Sequence, residues 1–274
     1  KVDLRYVRDG ACGRRMTLAP VVVKNARALP TPCRLQGEGF QVVAFHTDMK
    51  AESFFVDQVA VQRRYYQEIC QAIQQVTGAD DVLAFHHNVR HQRENLEGTD
   101  FVSKLYDTRV HGDYTPTSAA EIFEWQLSRV EPTKAAAYRE GHFLLINAWR
   151  NLNPQPVEHD TLAVCDARSV ADWQLLQLPV DTADGVRAEP LSAESFTERV
   201  QGPMASVESS TYHRWFYFPS LRNDELLIFK CYDSGATSQE GRYVLHSAIR
   251  LPGVSTQSLP RESIEVRMIA FFTR

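Results

Sequence analysis

Three residues far apart in the chain have the types and spacing to hold a metal ion. His111 and Asp113 are separated by one glycine, and His246 follows 135 residues after His111. In an extended segment side chains alternate, so His111 and Asp113 share a face and can grip one ion together. A distant histidine completes a two-histidine, one-carboxylate set that leaves coordination positions open, the pattern of non-haem Fe(II) oxygenases, although the same donors also suit zinc. Taken alone, His111-x-Asp113 also fits an ordinary surface pair. Fifteen residues beyond His246 come Arg261 and Ser263, two apart and so on one face. A guanidinium offers a carboxylate a planar fork that lysine cannot match. Arg267, Ile269 and Phe271 continue that face, where Arg267 could bind a second carboxylate. The structural alternatives are that Arg261 caps a strand edge and that Arg267 pairs with Glu265 or another surface acid.

Other chemistries lose support by absence. The chain has no G-x-S-x-G elbow, no G-x-x-x-x-G-K-[ST] loop and no H-E-x-x-H, and the close pair Gly37 and Gly39 lacks a third glycine and a following helix. The remaining histidines carry less. His86, His87 and His91 cluster with helical or loop spacing and no nearby carboxylate, which fits ordinary polar roles, and His142, His159 and His213 read as solvated loop or strand-end residues.

The elements that must position these residues fit a chain of 274 residues that is 43% hydrophobic and 23% charged, enough for a substantial core. A formal charge of −4 provides no broad basic field for nucleic acid. The apolar runs are too short for a membrane-spanning helix, and five widely spaced cysteines without a C-x-x-C pair suggest neither a disulfide framework nor a zinc ribbon. These features predict a cytoplasmic protein with no nucleic-acid or membrane partner, monomeric or homodimeric. Residues 1–274 read as a single domain, with 1–37 an irregular lead-in carrying one edge strand and 38–274 its core with helices. Apolar spacing predicts a strand over 39–45, a helix over 57–76 stopped by Gly78, and a strand over 82–85. Ser118 with Glu121 predicts a capping box for a helix reaching Arg129, followed by a short helix over 133–139. Further strands are expected over 143–150, 162–165, 214–218, 225–232, 241–249 and 263–272, with a charged loop over 180–205. Helices concentrated early and strands late favour a sandwich or barrel, mainly β with flanking helices.

A longer series of motifs then appears in one order. It comprises Thr77-Gly78-Ala79, His87-Asn88-Val89-Arg90, Val110 to Thr115, Ile146 to Arg150, Leu162 to Val170, Lys230 to Ser234, His246-Ser247-Ala248 and Arg261 to Arg267. This series resembles the Fe(II)/2-oxoglutarate-dependent oxygenase family of gibberellin desaturase-like proteins, the cephamycin 7α-hydroxylation protein and fungal hydroxylase/desaturases of secondary metabolism. The resemblance covers roughly residues 38–273; one departure is Thr161, where a proline usually precedes the Leu-Ala segment. It implies a double-stranded β-helix (jelly-roll) core, Fe(II), 2-oxoglutarate and O2. It implies His111, Asp113 and His246 as iron ligands and Arg261 with Ser263 on 2-oxoglutarate, and it marks Arg90, Asn147, Trp149, Arg150, Tyr232 and Arg267 for the pocket rim. Ile269 and Phe271 are expected to tune the outcome, since they share the Arg267 face. Core packing competes for Tyr114 and Trp149, and a buried ion pair with Asp166 or Asp233 competes for Arg150. The expected activity is hydroxylation, desaturation or ring closure of a small carboxylate-bearing natural-product intermediate. Two other readings share the ligands: a non-catalytic jelly roll partnering another biosynthetic enzyme, and a zinc-dependent hydrolase or lyase, which would not need the Arg261-x-Ser263 anchor.

Overall fold

In a computed structural model the described residues are all except 11–12, 92–105, 171–174, 178–190, 194–212, 237–240, 256–257 and 274. The chain order is β1 (Val2–Gly10), β2 (Gly13–Val21), β3 (Val23–Asn25), β4 (Phe40–Ala44), α1 (Ser53–Val56), α2 (Gln58–Ala60), a π turn at Val61–Tyr65, and α3 (Tyr66–Thr77). There follow β5 (Asp81–Arg90), β6 (His111–Gly112), α4 (Pro116–Leu127), α5 (Pro132–Arg139), β7 (His142–Asn151) and β8 (Thr161–Cys165). The last strands are β9 (Leu175–Gln177), β10 (Leu191–Ala193), β11 (Trp215–Tyr217), β12 (Glu225–Asp233), β13 (His246–Ile249) and β14 (Ser263–Phe272).

Two sheets carry the architecture. One is a five-stranded antiparallel sheet in the order β4-β12-β7-β14-β5, and the other has seven strands in the order β3-β11-β8-β13-β6-β10-β9. Phe40, Leu145, Leu227, Phe229, Ile269 and Phe271 of the first sheet join Leu162, Val164 and Phe216 of the second in one apolar cluster, the interior of a jelly roll. The opposite face of the five-stranded sheet packs Ile146, Ala148, Val266 and Met268 against Phe54, Tyr65, Ile69 and Ile73 of the helical segment. Gly78 ends that segment in the left-handed conformation, with φ 70°, and donates its N–H back to Gln74. Among the described residues no helix is long and apolar enough to cross a membrane.

Several expectations change. Within the lead-in over residues 1–37, β1 and β2 pair over nine residues as an antiparallel hairpin, more than the single edge strand expected, while residues 29–37 carry no helix or strand. Leu4 and Tyr6, and Ala19 and Val21, alternate inward against Trp215 and Leu245, so a polar composition hides a one-sided amphipathic hairpin. The helix cap lies at Thr115, not at Ser118 with Glu121. The Ser118 N–H donates to Thr115 Oγ1 and the Thr115 N–H to Ser118 Oγ, which leaves Pro116 in the first turn where a missing N–H costs nothing. The strand expected over 82–85 runs on through the histidine cluster to Arg90, whereas the one expected over 241–249 begins only at His246. Most of the expected 180–205 loop lies outside the described residues, but Leu191–Ala193 within it is a strand that pairs with β6.

Candidate metal centre

The long sequence gap between the two histidines is closed by strand register. β6 lies beside β13 with His111 directly opposite His246, and the imidazole centroids are 4.3 Å apart. Asp113 follows β6, with its Oδ1 4.0 Å from His111 Nε2, and one ligand atom from each of the three residues falls within 4.8 Å of the others. His111 Nδ1 lies 2.8 Å from the Arg109 carbonyl and His246 Nδ1 3.4 Å from that of Val244. A carbonyl only accepts, so each Nδ1 carries the proton and each Nε2 keeps a free lone pair, as metal-binding histidines require. Burial holds both imidazoles below the ordinary histidine range, with the neighbouring His246 adding to the effect at His111, which favours the neutral ligand form. Burial alone would raise the Asp113 carboxyl, but Arg267, the two histidines and Asn147 together pull it well below the usual range.

Asp113 is gripped from the five-stranded sheet. Asn147 Nδ2 donates to its Oδ2 at 2.6 Å, Arg267 Nη2 to its Oδ1 at 3.2 Å, and the Cys231 thiol lies 3.5 Å from Oδ2. Asn147 and Arg267, expected on the rim against substrate, thus face the ligand carboxylate. They sit side by side in the pairing of β7 with β14, so one sheet row holds Asp113 at both oxygens.

Two rows along β14 lies Ser263, buried between Arg90 and Asn151, and Arg261 precedes it. The Arg261 guanidinium is 4.2 Å from the Tyr106 ring centroid and 5.5 Å from that of Trp149, and its Nη1 donates to the Asp160 carbonyl at 2.5 Å. Burial, reinforced by Arg90, lowers its pKa to about 10, yet it remains a cation at neutral pH. Between the two rows lies Glu265, 7% exposed, whose carboxyl is pushed up first by burial and then by Asp113. Trp149 is at once a core side chain and the ring under Arg261, and Tyr114 is wholly core.

The other expected rim residues lie elsewhere. Arg150 projects from the opposite face of β7, where Phe45, Phe54 and Tyr65 surround its guanidinium and Nε donates to the Asn223 carbonyl. The neighbouring positions on β7 point the other way, so Arg150 cannot join the rim, and it pairs with neither Asp166 nor Asp233. Ile269 is fully buried, Phe271 stacks on Tyr138 at 4.8 Å, and Tyr232 stacks on Phe143 at 5.7 Å. All three belong to the apolar packing beneath α4 and α5. His213 is not solvated: it is buried against the Tyr6 hydroxyl, and burial lowers its pKa to about 4. His87 faces the helices, with its Nδ1 2.8 Å from the Tyr66 hydroxyl. Cys231 and Tyr106 are participants that sequence reasoning missed. A bulge at Lys230/Tyr232 obscures the parity of Cys231, and no local pattern marks Tyr106.

The donor set fits a divalent transition metal, with two neutral imidazole nitrogens and a carboxylate on one side. The surroundings fit a polar co-substrate, since Arg261 Nε, Arg267 Nε, Trp149 Nε1 and Asn147 Oδ1 are buried polar atoms without a hydrogen-bond partner among the described residues. Comparison with known proteins agrees. The chain is 30% identical over 244 residues to the alpha-ketoglutarate-dependent dioxygenase phiK of a fungal species, covering 87% of this chain and 79% of that one. The chain belongs to the Fe(II)/2-oxoglutarate-dependent hydroxylase/desaturase family. The model of the oxidoreductase/YMDC permease-like domain matches residues 10–271. Hydroxylase/desaturase efuI of Hormonema carpetanum is 29% identical over 98% of this chain and 89% of its own length. The solved structure of the iron and alpha-ketoglutarate-dependent endoperoxidase NvfI superposes with a TM-score of 0.79 at 25% identity, covering 100% of this chain and 98% of that one. As a member of this hydroxylase/desaturase family the protein is a 2-oxoglutarate-dependent non-haem iron oxygenase with a jelly-roll core.

Proposed function

We propose that His111, Asp113 and His246 hold Fe(II), that Arg261 and Ser263 anchor 2-oxoglutarate, and that the enzyme acts on a small carboxylate-bearing natural-product intermediate. The observation that carries this reading is the convergence of the three donors opposite a sheet row that already spends Asn147 and Arg267 on Asp113. With Arg267 so engaged, Arg261, whose Nε has no hydrogen-bond partner among the described residues, is the fork for the far carboxylate. When bound, iron and 2-oxoglutarate supply the oxidising chemistry, in which O2 and the keto acid give succinate and CO2 while a substrate C–H bond is broken. The protein supplies position. The Arg109 and Val244 carbonyls fix the imidazole tautomers, Asn147 and Arg267 fix the carboxylate, and the burial of Trp149, Ile269 and Phe229 excludes water.

The whole chain acts as one oxygenase unit in the cytoplasm, monomeric or homodimeric. Its charge of −4 disfavours nucleic-acid partners, and no membrane partner is proposed. Hydroxylation, desaturation and ring closure are three outcomes of the same step, chosen by where the substrate carbon rests. The test is succinate formation from 2-oxoglutarate in purified enzyme. The proposal expects dependence on both added Fe(II) and O2, and activity that persists with zinc or without O2 would overturn it.

A further inference from the structure

The anchor arginine is itself held by an unusual piece of backbone. Among the described residues only Asp160 and Ser220 combine a side chain with positive φ, and Asp160 has φ 48°. This left-handed conformation costs little for glycine or asparagine and more for a β-branched residue. Asp160 stands immediately before β8, and its carbonyl accepts the hydrogen bond from Arg261 Nη1 inside the protein. Its carboxylate is tied from the outside by Arg250 at 3.3 Å. Among the described residues the Arg261 guanidinium otherwise lies against the flat rings of Tyr106 and Trp149, which fix its plane but not its hydrogen-bonding direction within that plane. The Tyr106 hydroxyl bonds the Arg261 carbonyl, not the guanidinium. Among the described residues the Asp160 carbonyl is therefore the hydrogen-bond acceptor that sets how the fork is turned, and Nε is left without a partner.

We infer that Asp160 is a positioning residue for co-substrate binding: its left-handed backbone turns a carbonyl onto Arg261 Nη1 and so aims the remaining guanidinium edge at the 2-oxoglutarate carboxylate. A left-handed backbone held by a residue type that tolerates it, next to a ligand-binding group, fits such pre-organisation. The inference rests on the reading of Arg261 as the 2-oxoglutarate anchor. It assigns the effect to the backbone of Asp160 and not to its charge.

The experiment compares Asp160→Gly, Asp160→Asn and Asp160→Val with wild type, by anaerobic titration of the Fe(II)-loaded protein with 2-oxoglutarate and by separate titration of Fe(II) into the apoprotein. Glycine and asparagine keep the left-handed turn and should leave the 2-oxoglutarate Kd within about twofold. Valine should raise it about tenfold or more, raise KM for 2-oxoglutarate in proportion, and leave kcat at saturation and the Fe(II) Kd unchanged. If the valine variant does not fold, Asp160→Ala gives the same comparison, with an expected rise of about threefold over Asp160→Gly. Equal affinities for the glycine and valine (or alanine) variants, or a loss in asparagine as large as in valine, would overturn the inference. Arg261→Ala, run in parallel, separates the two failures: unchanged 2-oxoglutarate affinity there would fault the anchor itself, while a large loss there with no valine effect would fault only Asp160.

Discussion

The two faces of the five-stranded sheet are made by alternate residues of the same strands and have opposite chemistry. Toward the seven-stranded sheet, β7 and β14 present Asn147, Trp149, Ser263, Glu265 and Arg267, with Asn147 and Arg267 on Asp113 and Arg261 just before β14 over Trp149. Toward the helices they present Ile146, Ala148, Val266 and Met268, with a single embedded cation, Arg150. Arg150 and Arg267 teach the most when set side by side. Both are arginines on central strands, Arg150 buried and Arg267 half-buried, yet Arg267 meets the Asp113 carboxylate and Arg150 meets aromatic rings and a backbone carbonyl. Their roles follow from strand parity, because side chains one residue apart on a strand point to opposite layers.

That contrast can be broken in graded steps. The largest effect is expected on the site face, where His111→Ala should reduce succinate formation to background while far-ultraviolet circular dichroism is retained. Next, Asn147→Ala frees Asp113 Oδ2 from its shortest partner and should weaken Fe(II) binding about 10- to 100-fold, read by anaerobic competition with a chelator. On the other face, Arg150→Ala should leave the Fe(II) and 2-oxoglutarate affinities within about twofold but lower unfolding free energy by about 2–4 kcal/mol in urea titrations, because a charge-assisted bond and ring contacts are lost from the interior. A fall in 2-oxoglutarate affinity at unchanged stability would place Arg150 in the pocket after all.

The smallest effect concerns His87, also on the helix face. Burial lowers its folded pKa to about 4 from an ordinary 6.5. Between those values the unfolded chain binds the proton and the folded one does not, so stability is intact above pH 6.5 and is lost as the pH falls toward 4. His87 should contribute a slope of about 1 kcal/mol per pH unit in that window, on top of the like contribution of His213, and His87→Gln should lower the total slope by about that amount in melting curves taken from pH 7 to 4. An unchanged slope would show that His87 is already charged in the folded protein.

The convergence of His111, Asp113 and His246 as a candidate metal site was readable from sequence because His111-x-Asp113 expresses the two-residue period of an extended chain within three positions, and because the distant His246 stands in an ordered series of motifs. Arg150 was misplaced for a physical reason. β7 is buried on both faces, so its run of apolar residues carries no alternation from which to read which side a charge will take. The N-terminal hairpin was missed for the opposite reason, since only one of its faces is covered and its polar residues resemble a loop. Cys231 was hidden by the bulge that shifts β12 by one residue, and Tyr106 reaches Arg261 through tertiary contact alone. The aim of Arg261 depends on the φ of Asp160, which composition does not report.

The central claim is that His111, Asp113 and His246 form one iron site to which 2-oxoglutarate binds. Its most direct test is anaerobic addition of Fe(II) and then 2-oxoglutarate to the purified protein, followed by visible absorption spectroscopy. The account predicts a weak charge-transfer band that saturates at one equivalent of iron and is absent in His111→Ala. No band in the wild-type protein, or an undiminished band in His111→Ala, would contradict it.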